Sequence, residues 1–288
     1  MKRVALFLVV CLLFSGFSYA KVIYNPDENT YWIEDGKNFE ISEYEKSEFW
    51  QGKMWSGKLV IEETEDGFII KSPSFDRYAI GRFFKFSPDY PYLVWEISKV
   101  VYGDGYKAFL MCFPVGVFGF EGNIFSGIFV VNMFQFGNIK DNEFCRIYLY
   151  DTSLQFKYIK AVKKPDNYIE ITSPQLKDKN YVGIGDELIF RVILKEPAED
   201  VSLTFYQSEV TGEIKINNSS SLQLKPVDDQ QKIWTGKIKI ESIDKPIGNK
   251  EGYIKGKLLI KATVLGGKVH LPIWTSNYFE IKTTKEMK

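Results

Sequence analysis

The strongest constraint on the fold of this chain is a succession of short apolar and aromatic runs separated by turn-forming residues. Runs rich in Val, Ile, Phe and Tyr recur along almost the whole sequence, with Gly, Pro, Asp and Asn between them. No stretch sustains the 3.6-residue apolar period of an amphipathic helix. The pattern therefore predicts an all-β protein. The number of such runs over the length of the chain predicts two β-sandwich domains in tandem.

In the first part of the chain the strands are expected to be short and closely spaced. Asp66 and Gly67 form a favoured hairpin pair. A boundary is expected at Ser173–Pro174, where a polar stretch interrupts the strand rhythm. The predicted strands are Lys58–Thr64, Gly67–Ser72, Tyr78–Phe86, Tyr92–Val100, Tyr106–Phe113, Gly127–Phe136, Phe144–Tyr150, Leu154–Val162 and Tyr168–Thr172.

After this boundary the apolar alternation becomes stricter. Leu188, Phe190 and Val192 alternate along the chain and so share one face, as in strands with one buried face. Gly266 and Gly267 predict a hairpin near the end of the chain. The expected organisation is a signal peptide at 1–20, a jelly-roll-like sandwich at 21–173, an immunoglobulin-like sandwich at 174–284 and a tail at 285–288.

The N-terminus has the layout of a secretory signal peptide. Lys2 and Arg3 precede the apolar run Val4–Phe14, and Ser18 and Ala20 are small residues that directly precede a cleavage site before Lys21. The run is too short to span a bilayer. We therefore expect export to the periplasm, the cell surface or the medium.

Two membrane alternatives are disfavoured. Cys11 would be acylated in a lipoprotein, but Val10 replaces the small residue expected before such a cysteine, and the apolar run continues beyond it. The longest later apolar stretch, Ala108–Phe120, contains Pro114 and falls short of the roughly 20 residues that a spanning helix needs. We predict no membrane span.

Charge and motif content exclude several classes of partner and cofactor. The 37 basic and 37 acidic side chains balance, whereas a nucleic-acid partner requires a basic surface. His270 is the only histidine, and no Asp-x-Asp-x-Asp-Gly spacing occurs, so we predict no metal and no cofactor. No catalytic residue is assigned.

A glycosidase- or lyase-type enzyme is kept as a second alternative. Glycoside hydrolysis needs only two carboxylates, and these can lie far apart in sequence. The acidic cluster Glu62, Glu63, Glu65 and Asp66 falls at a predicted hairpin tip, where carboxylates are solvated.

Cys112 and Cys145 are the cysteines that remain after cleavage of the signal peptide. In an oxidising compartment they could form a disulfide. Two free thiols in neighbouring strands are the alternative, and the sequence leaves both open.

Aromatic residues make up 16% of the chain, a high share that suits strands, interfaces and sugar-binding faces equally. An indole ring can stack on the apolar face of a sugar. Trp50 and Trp55 lie in a glycine-containing stretch, so they and Trp32 are the predicted ligand-binding residues. Trp95 lies within an apolar strand and is expected in the core. Core packing is the alternative for all four.

Two stretches, Arg82–Ile97 and Lys157–Glu170, have the strand texture of the jelly-roll carbohydrate-binding modules that accompany secreted bacterial glycosidases, and the N-terminal part resembles these modules. The C-terminal part resembles bacterial immunoglobulin-like domains, through Gly185–Leu188 and the strand after Trp234. The resemblance implies an exported, non-catalytic protein that binds a polysaccharide. The alternative is a structural or assembly component of the cell envelope whose partner is a cell-surface protein.

Overall fold

The computed structural model describes residues 23–35, 60–71, 77–84, 87–113, 126–132, 143–173, 181–207, 213–244, 253–269 and 271–282. Within these ranges the regular elements are β-strands, and no helix occurs. The prediction of an all-β protein is confirmed. None of the described segments forms a helix that is long and apolar enough to cross a membrane.

The described strands form two sheets. In chain order they are β1 (Ile23–Tyr24), β2 (Thr30–Glu34), β3 (Val60–Thr64), β4 (Gly67–Lys71), β5 (Arg77–Phe84), β6 (Tyr92–Phe113), β7 (Gly127–Asn132), β8 (Glu143–Val162), β9 (Tyr168–Thr172), β10 (Tyr181–Gly183), β11 (Glu187–Ile193), β12 (Asp200–Gln207), β13 (Ser221–Gln223), β14 (Lys225–Pro226), β15 (Ile233–Lys239), β16 (Tyr253–Leu265) and β17 (Ile273–Lys282).

The larger sheet runs through both halves of the chain. Its order is β1-β2-β8-β6-β7-β17-β16-β12-β13, with β4 and β5 also paired to β8, β3 to β4 and β10 to β17. The antiparallel pair β6 and β8 forms the centre of its N-terminal half. Strands β7 and β17 pair in parallel, so that Phe129 lies opposite Trp274. This parallel pair joins the two halves into one sheet.

Two of the long strands were each predicted as two shorter ones. β6 continues through the turn-forming residues Gly103, Asp104 and Gly105, and β8 continues past Tyr150. The physical reason lies in the pairing of β6 with β8, which resumes on both sides of a register shift between Tyr102 and Lys107. The turn-forming residues thus produce an irregularity in the ladder rather than a chain reversal.

The smaller sheet has the order β14-β15-β11-β9 and packs against the C-terminal half of the larger one. One core cluster takes side chains from both sheets, among them Phe190 of β11 and Phe205 of β12, whose ring centroids are 5.9 Å apart. The predicted alternation is confirmed, because Leu188, Phe190 and Val192 are all fully buried. The hairpin at Gly266 and Gly267 is also confirmed, with φ values of +76° and +75° that suit glycine.

Strand β9 lies on the N-terminal side of the boundary expected at Ser173–Pro174. It pairs with β11, which lies on the other side of that boundary. The side chain of Tyr168 on β9 also packs against Tyr92 on β6, at a centroid distance of 5.9 Å. The two halves therefore share the larger sheet, and strand β9 from the first half belongs to the smaller sheet of the second. Their behaviour as separate tandem sandwiches stays a prediction.

Candidate functional site

Two of the four tryptophans considered above, Trp32 and Trp95, lie in the described residues, and both are buried. Trp32 on β2 is 0% exposed and Trp95 on β6 is 1% exposed. Trp95 is thus in the core, as expected, and so is Trp32, for which core packing was the alternative to ligand binding. A fully buried indole presents no surface to a ligand. Trp50 and Trp55 lie outside the described residues, so their proposed role stays a prediction.

Three tyrosines at the outer edge of the larger sheet form the strongest candidate site, here called the tyrosine cluster: Tyr24, Tyr31 and Tyr90. The rings of Tyr31 and Tyr90 are stacked, with centroids 5.2 Å apart and an interplanar angle of 23°. Tyr24 meets Tyr31 edge to face at 6.0 Å. Tyr24 is 43% exposed, whereas Tyr31 and Tyr90 are half-buried. The two inner rings thus support an outer ring that faces solvent.

The turn that connects β1 to β2 is fixed by side-chain hydrogen bonds. The Oδ1 atom of Asp27 accepts the backbone N–H groups of Asn29 at 2.8 Å and Thr30 at 2.7 Å. Asn25 has a φ of +52°, a left-handed conformation that asparagine tolerates. The sequence thus specifies the turn locally, and the turn sets the spacing between Tyr24 and Tyr31.

A second set of bonds ties this turn to the end of β8. The side-chain amide of Asn29 donates to the carbonyl of Lys164 and accepts from the N–H of Lys164, both at 3.1 Å. The N–H of Lys163 donates to the carbonyl of Asn29 at 2.9 Å. The ammonium group of Lys163 lies 5.2 Å from the ring centroid of Tyr90. The turn is therefore anchored to the chain just after β8, and one cation lies against a ring of the tyrosine cluster.

Only part of the tyrosine cluster has a signal in the sequence. The alternation of Thr30, Trp32 and Glu34 toward the interior leaves Tyr31 on the opposite face of β2. The contact between Tyr31 and Tyr90 joins parts of the chain that are distant in sequence, and no local sequence pattern predicts it. The prediction of stacking residues from the sequence rests on tryptophan, and the tryptophans of the described residues are buried.

A second group of polar side chains lies where the two halves meet. Tyr158 donates a hydrogen bond to Glu96, and the Nζ atom of Lys160 lies 4.5 Å from the ring centroid of Tyr158. Asp166 lies 4.0 Å from the ammonium of Lys160 and 3.4 Å from that of Lys195, which follows β11. This network links β6 and β8 to the smaller sheet.

Burial controls the ionisation of this junction. Desolvation, followed by the hydrogen bond to Glu96, raises the pKa of Tyr158 far above its ordinary value, so the phenol stays protonated. Burial lowers the pKa of Lys160, an effect that the carboxylates of Asp166 and Glu96 oppose. Glu96 is engaged by Tyr158 and by Lys157, whose Nζ is 3.4 Å away. We interpret the group as a structural network.

The remaining candidates fall in three places. The acidic cluster lies at the β3–β4 hairpin, where Glu63 pairs with Phe68, and this hairpin is confirmed. His270 lies outside the described residues. Within the described ranges no group of three or more His, Cys, Asp or Glu side chains could hold a metal ion. Cys112 and Cys145 are Cα partners on β6 and β8.

Comparisons with known proteins give weak structural neighbours only. No family model matches the chain, and no curated protein does. A Faecalibacterium prausnitzii β-glucuronidase is similar over 71% of this chain and 37% of its own, at 9% identity and a TM-score of 0.21. Bacteroides uniformis β-glucuronidase 2, covalently bound to cyclophellitol-6-carboxylate aziridine, is similar over 69% and 26%, at 13% and 0.22.

A DUF4785 family protein from Legionella pneumophila is similar over 80% of this chain and 65% of its own length, at 11% identity and a TM-score of 0.23. This chain thus spans less than two thirds of each of these three structures. Similarity of this degree assigns neither a family nor an activity.

Proposed function

We propose that this chain is an exported, non-catalytic binding protein that recognises a glycan through the tyrosine cluster. The observation that carries the proposal is the half-exposed group of three tyrosine rings that a hydrogen-bonded turn holds at the sheet edge. The signal-peptide pattern of residues 1–20 supports the export that such a role requires.

The chemistry of the cluster suits a sugar ring. The exposed ring of Tyr24 offers an apolar face for the C–H groups of a pyranose, and phenol and backbone groups nearby can bond to its hydroxyls. Asp27 and Asn29 fix the turn before any ligand arrives. A site fixed in advance loses little conformational entropy on binding, which favours affinity from a small contact area.

The test should use the whole mature chain, residues 21–288. A fragment that ends at residue 173 would separate β9 from β11, its partner in the smaller sheet. Pull-down on insoluble polysaccharides and affinity electrophoresis in soluble ones should reveal retention by at least one glycan. Absence of retention on bacterial cell-wall and plant polysaccharides alike would refute the proposal.

Variants locate the binding surface. Tyr24→Ala should weaken retention about three- to tenfold, because it removes the exposed ring. Leu265→Ala is a matched control, since Leu265 is an exposed apolar side chain at the end of β16 in the other half. Equal retention of wild type and Tyr24→Ala would place the glycan site elsewhere.

One observation favours the second candidate, a structural or assembly role. Strand β1 is the outermost strand of the larger sheet, and Ile23 on it is 38% exposed. An edge strand with exposed apolar side chains can pair with a strand of another protein. Light scattering of the mature protein should then show mass that rises with concentration, and Ile23→Lys should abolish the rise. A monomer at all concentrations would argue against self-assembly.

A further inference from the structure

The two cysteines of the mature chain lie directly opposite each other in the sheet. Cys112 on β6 and Cys145 on β8 are Cα partners in the antiparallel ladder. The register is uninterrupted around them, since Met111 pairs with Arg146 and Phe113 with Phe144. Opposed residues in an antiparallel pair have Cα atoms about 4.5 or about 5.5 Å apart, depending on the hydrogen-bonding position. Both separations lie within the span of a disulfide, about 4.4–6.8 Å.

We infer that Cys112 and Cys145 form a cross-strand disulfide in the exported protein. The inference rests on the export predicted from residues 1–20 and is independent of glycan recognition. Two S–H bonds are replaced by one S–S bond in thiol–disulfide exchange. The two electrons and two protons pass to the disulfide of an oxidant in the compartment that receives the exported protein, and this oxidant is released as a dithiol.

The position of the two cysteines determines which part of the chain the disulfide would restrain. The loop that it closes contains β7, the strand that pairs with β17 and joins the two halves of the larger sheet. A bond between β6 and β8 therefore restrains the chain on both sides of β7. We expect the oxidised protein to melt about 10 °C higher than the reduced protein.

Oxidation can be followed on the mature wild-type protein in a glutathione redox buffer. Intact mass without reductant should decrease by two hydrogen atoms, and a digest should yield one peptide that joins the segments containing Cys112 and Cys145. Alkylation of both thiols after this treatment, or a glutathione adduct on each, would overturn the inference. This readout needs no variant, so it holds even if a substitution impairs folding.

A one-residue shift gives the matched control. In the double substitution Cys145→Ala/Arg146→Cys the second thiol moves to the position opposite Met111, which lies on the other face of the sheet. This variant should retain two alkylatable thiols under the conditions that oxidise the wild type, and its melting temperature should not respond to reductant. Equal oxidation of the shifted pair would show that the register does not direct the bond and would overturn the inference.

Discussion

Strand β2 carries two kinds of aromatic residue on its two faces. Trp32 points inward and is fully buried, while the neighbouring Tyr31 lies on the other face, in the tyrosine cluster. Both rings are large and apolar, yet only the second belongs to a surface that a ligand can reach. The comparison shows that aromatic content does not identify a binding site. The strand alternation narrows the choice, because it decides which ring lies on the outer face of the strand.

The buried face should be the more sensitive to mutation. Trp95→Ala should destabilise the protein by about 3–5 kcal/mol, because the fully buried indole leaves a cavity when it is removed. Denaturant unfolding of the wild type and the variant measures this difference. A loss below about 1 kcal/mol would contradict the buried position of Trp95.

The indole nitrogen of Trp95 sharpens this test, because it is buried and has no hydrogen-bond partner among the described residues. Trp95→Phe therefore removes volume but no hydrogen bond, and it should cost about 1–2 kcal/mol. A cost as large as that of Trp95→Ala would indicate that the nitrogen has a partner in the native protein.

The buried aromatic face continues across the junction of the two halves, where Phe129 stacks on Trp274 at 5.7 Å. Gly127 lies beneath this contact, and a Cβ there would meet the indole of Trp274 and lie 2.7 Å from the carbonyl oxygen of Pro272. Gly127→Ala should therefore destabilise by about 1–3 kcal/mol through overpacking. Thermal melting measures the effect. Gly185→Ala is the control for backbone strain alone, because Gly185 also has a positive φ, +100°, while a Cβ there meets no atom of the described residues within 4 Å. Equal losses would contradict the steric explanation.

Sequence patterns predicted the elements better than their connections. Alternation at Leu188, Phe190 and Val192 specified a half-buried strand, because burial has the same period as the side chains. The pairing of β9 with β11 in the smaller sheet has no such local signal, since it depends on which strands the fold brings together. The same reason explains why Tyr31 could be placed outside the core but not beside Tyr90.

The tyrosine cluster should tolerate substitution better than the buried tryptophan Trp95. Tyr24→Ala removes a ring that is 43% exposed, so we expect a stability loss below about 1 kcal/mol. Denaturant unfolding under the conditions used for Trp95→Ala gives the direct comparison. A loss of the same size as that of Trp95→Ala would show that Tyr24 is a core residue and would remove the distinction between the two regions.

The smallest effect concerns the ionisation of a tyrosine at the junction of the two halves. Tyr168 on β9 is 6% exposed, and its burial, followed by the nearby carboxylate of Glu170, raises its pKa from 10.0 to about 12. The folded state therefore holds this proton more tightly than the unfolded chain does. The resulting stabilisation is complete below pH 10 and is lost as the pH rises from 10 to 12.

Tyr168→Phe removes the ionisable group and keeps the ring, so the unfolding free energy of this variant should fall less steeply than that of the wild type between pH 10 and pH 12. Parallel profiles for the wild type and Tyr168→Phe would mean that Tyr168 titrates alike in the folded and unfolded chains. In that case the burial at the β9 junction and the carboxylate of Glu170 do not act on the phenol.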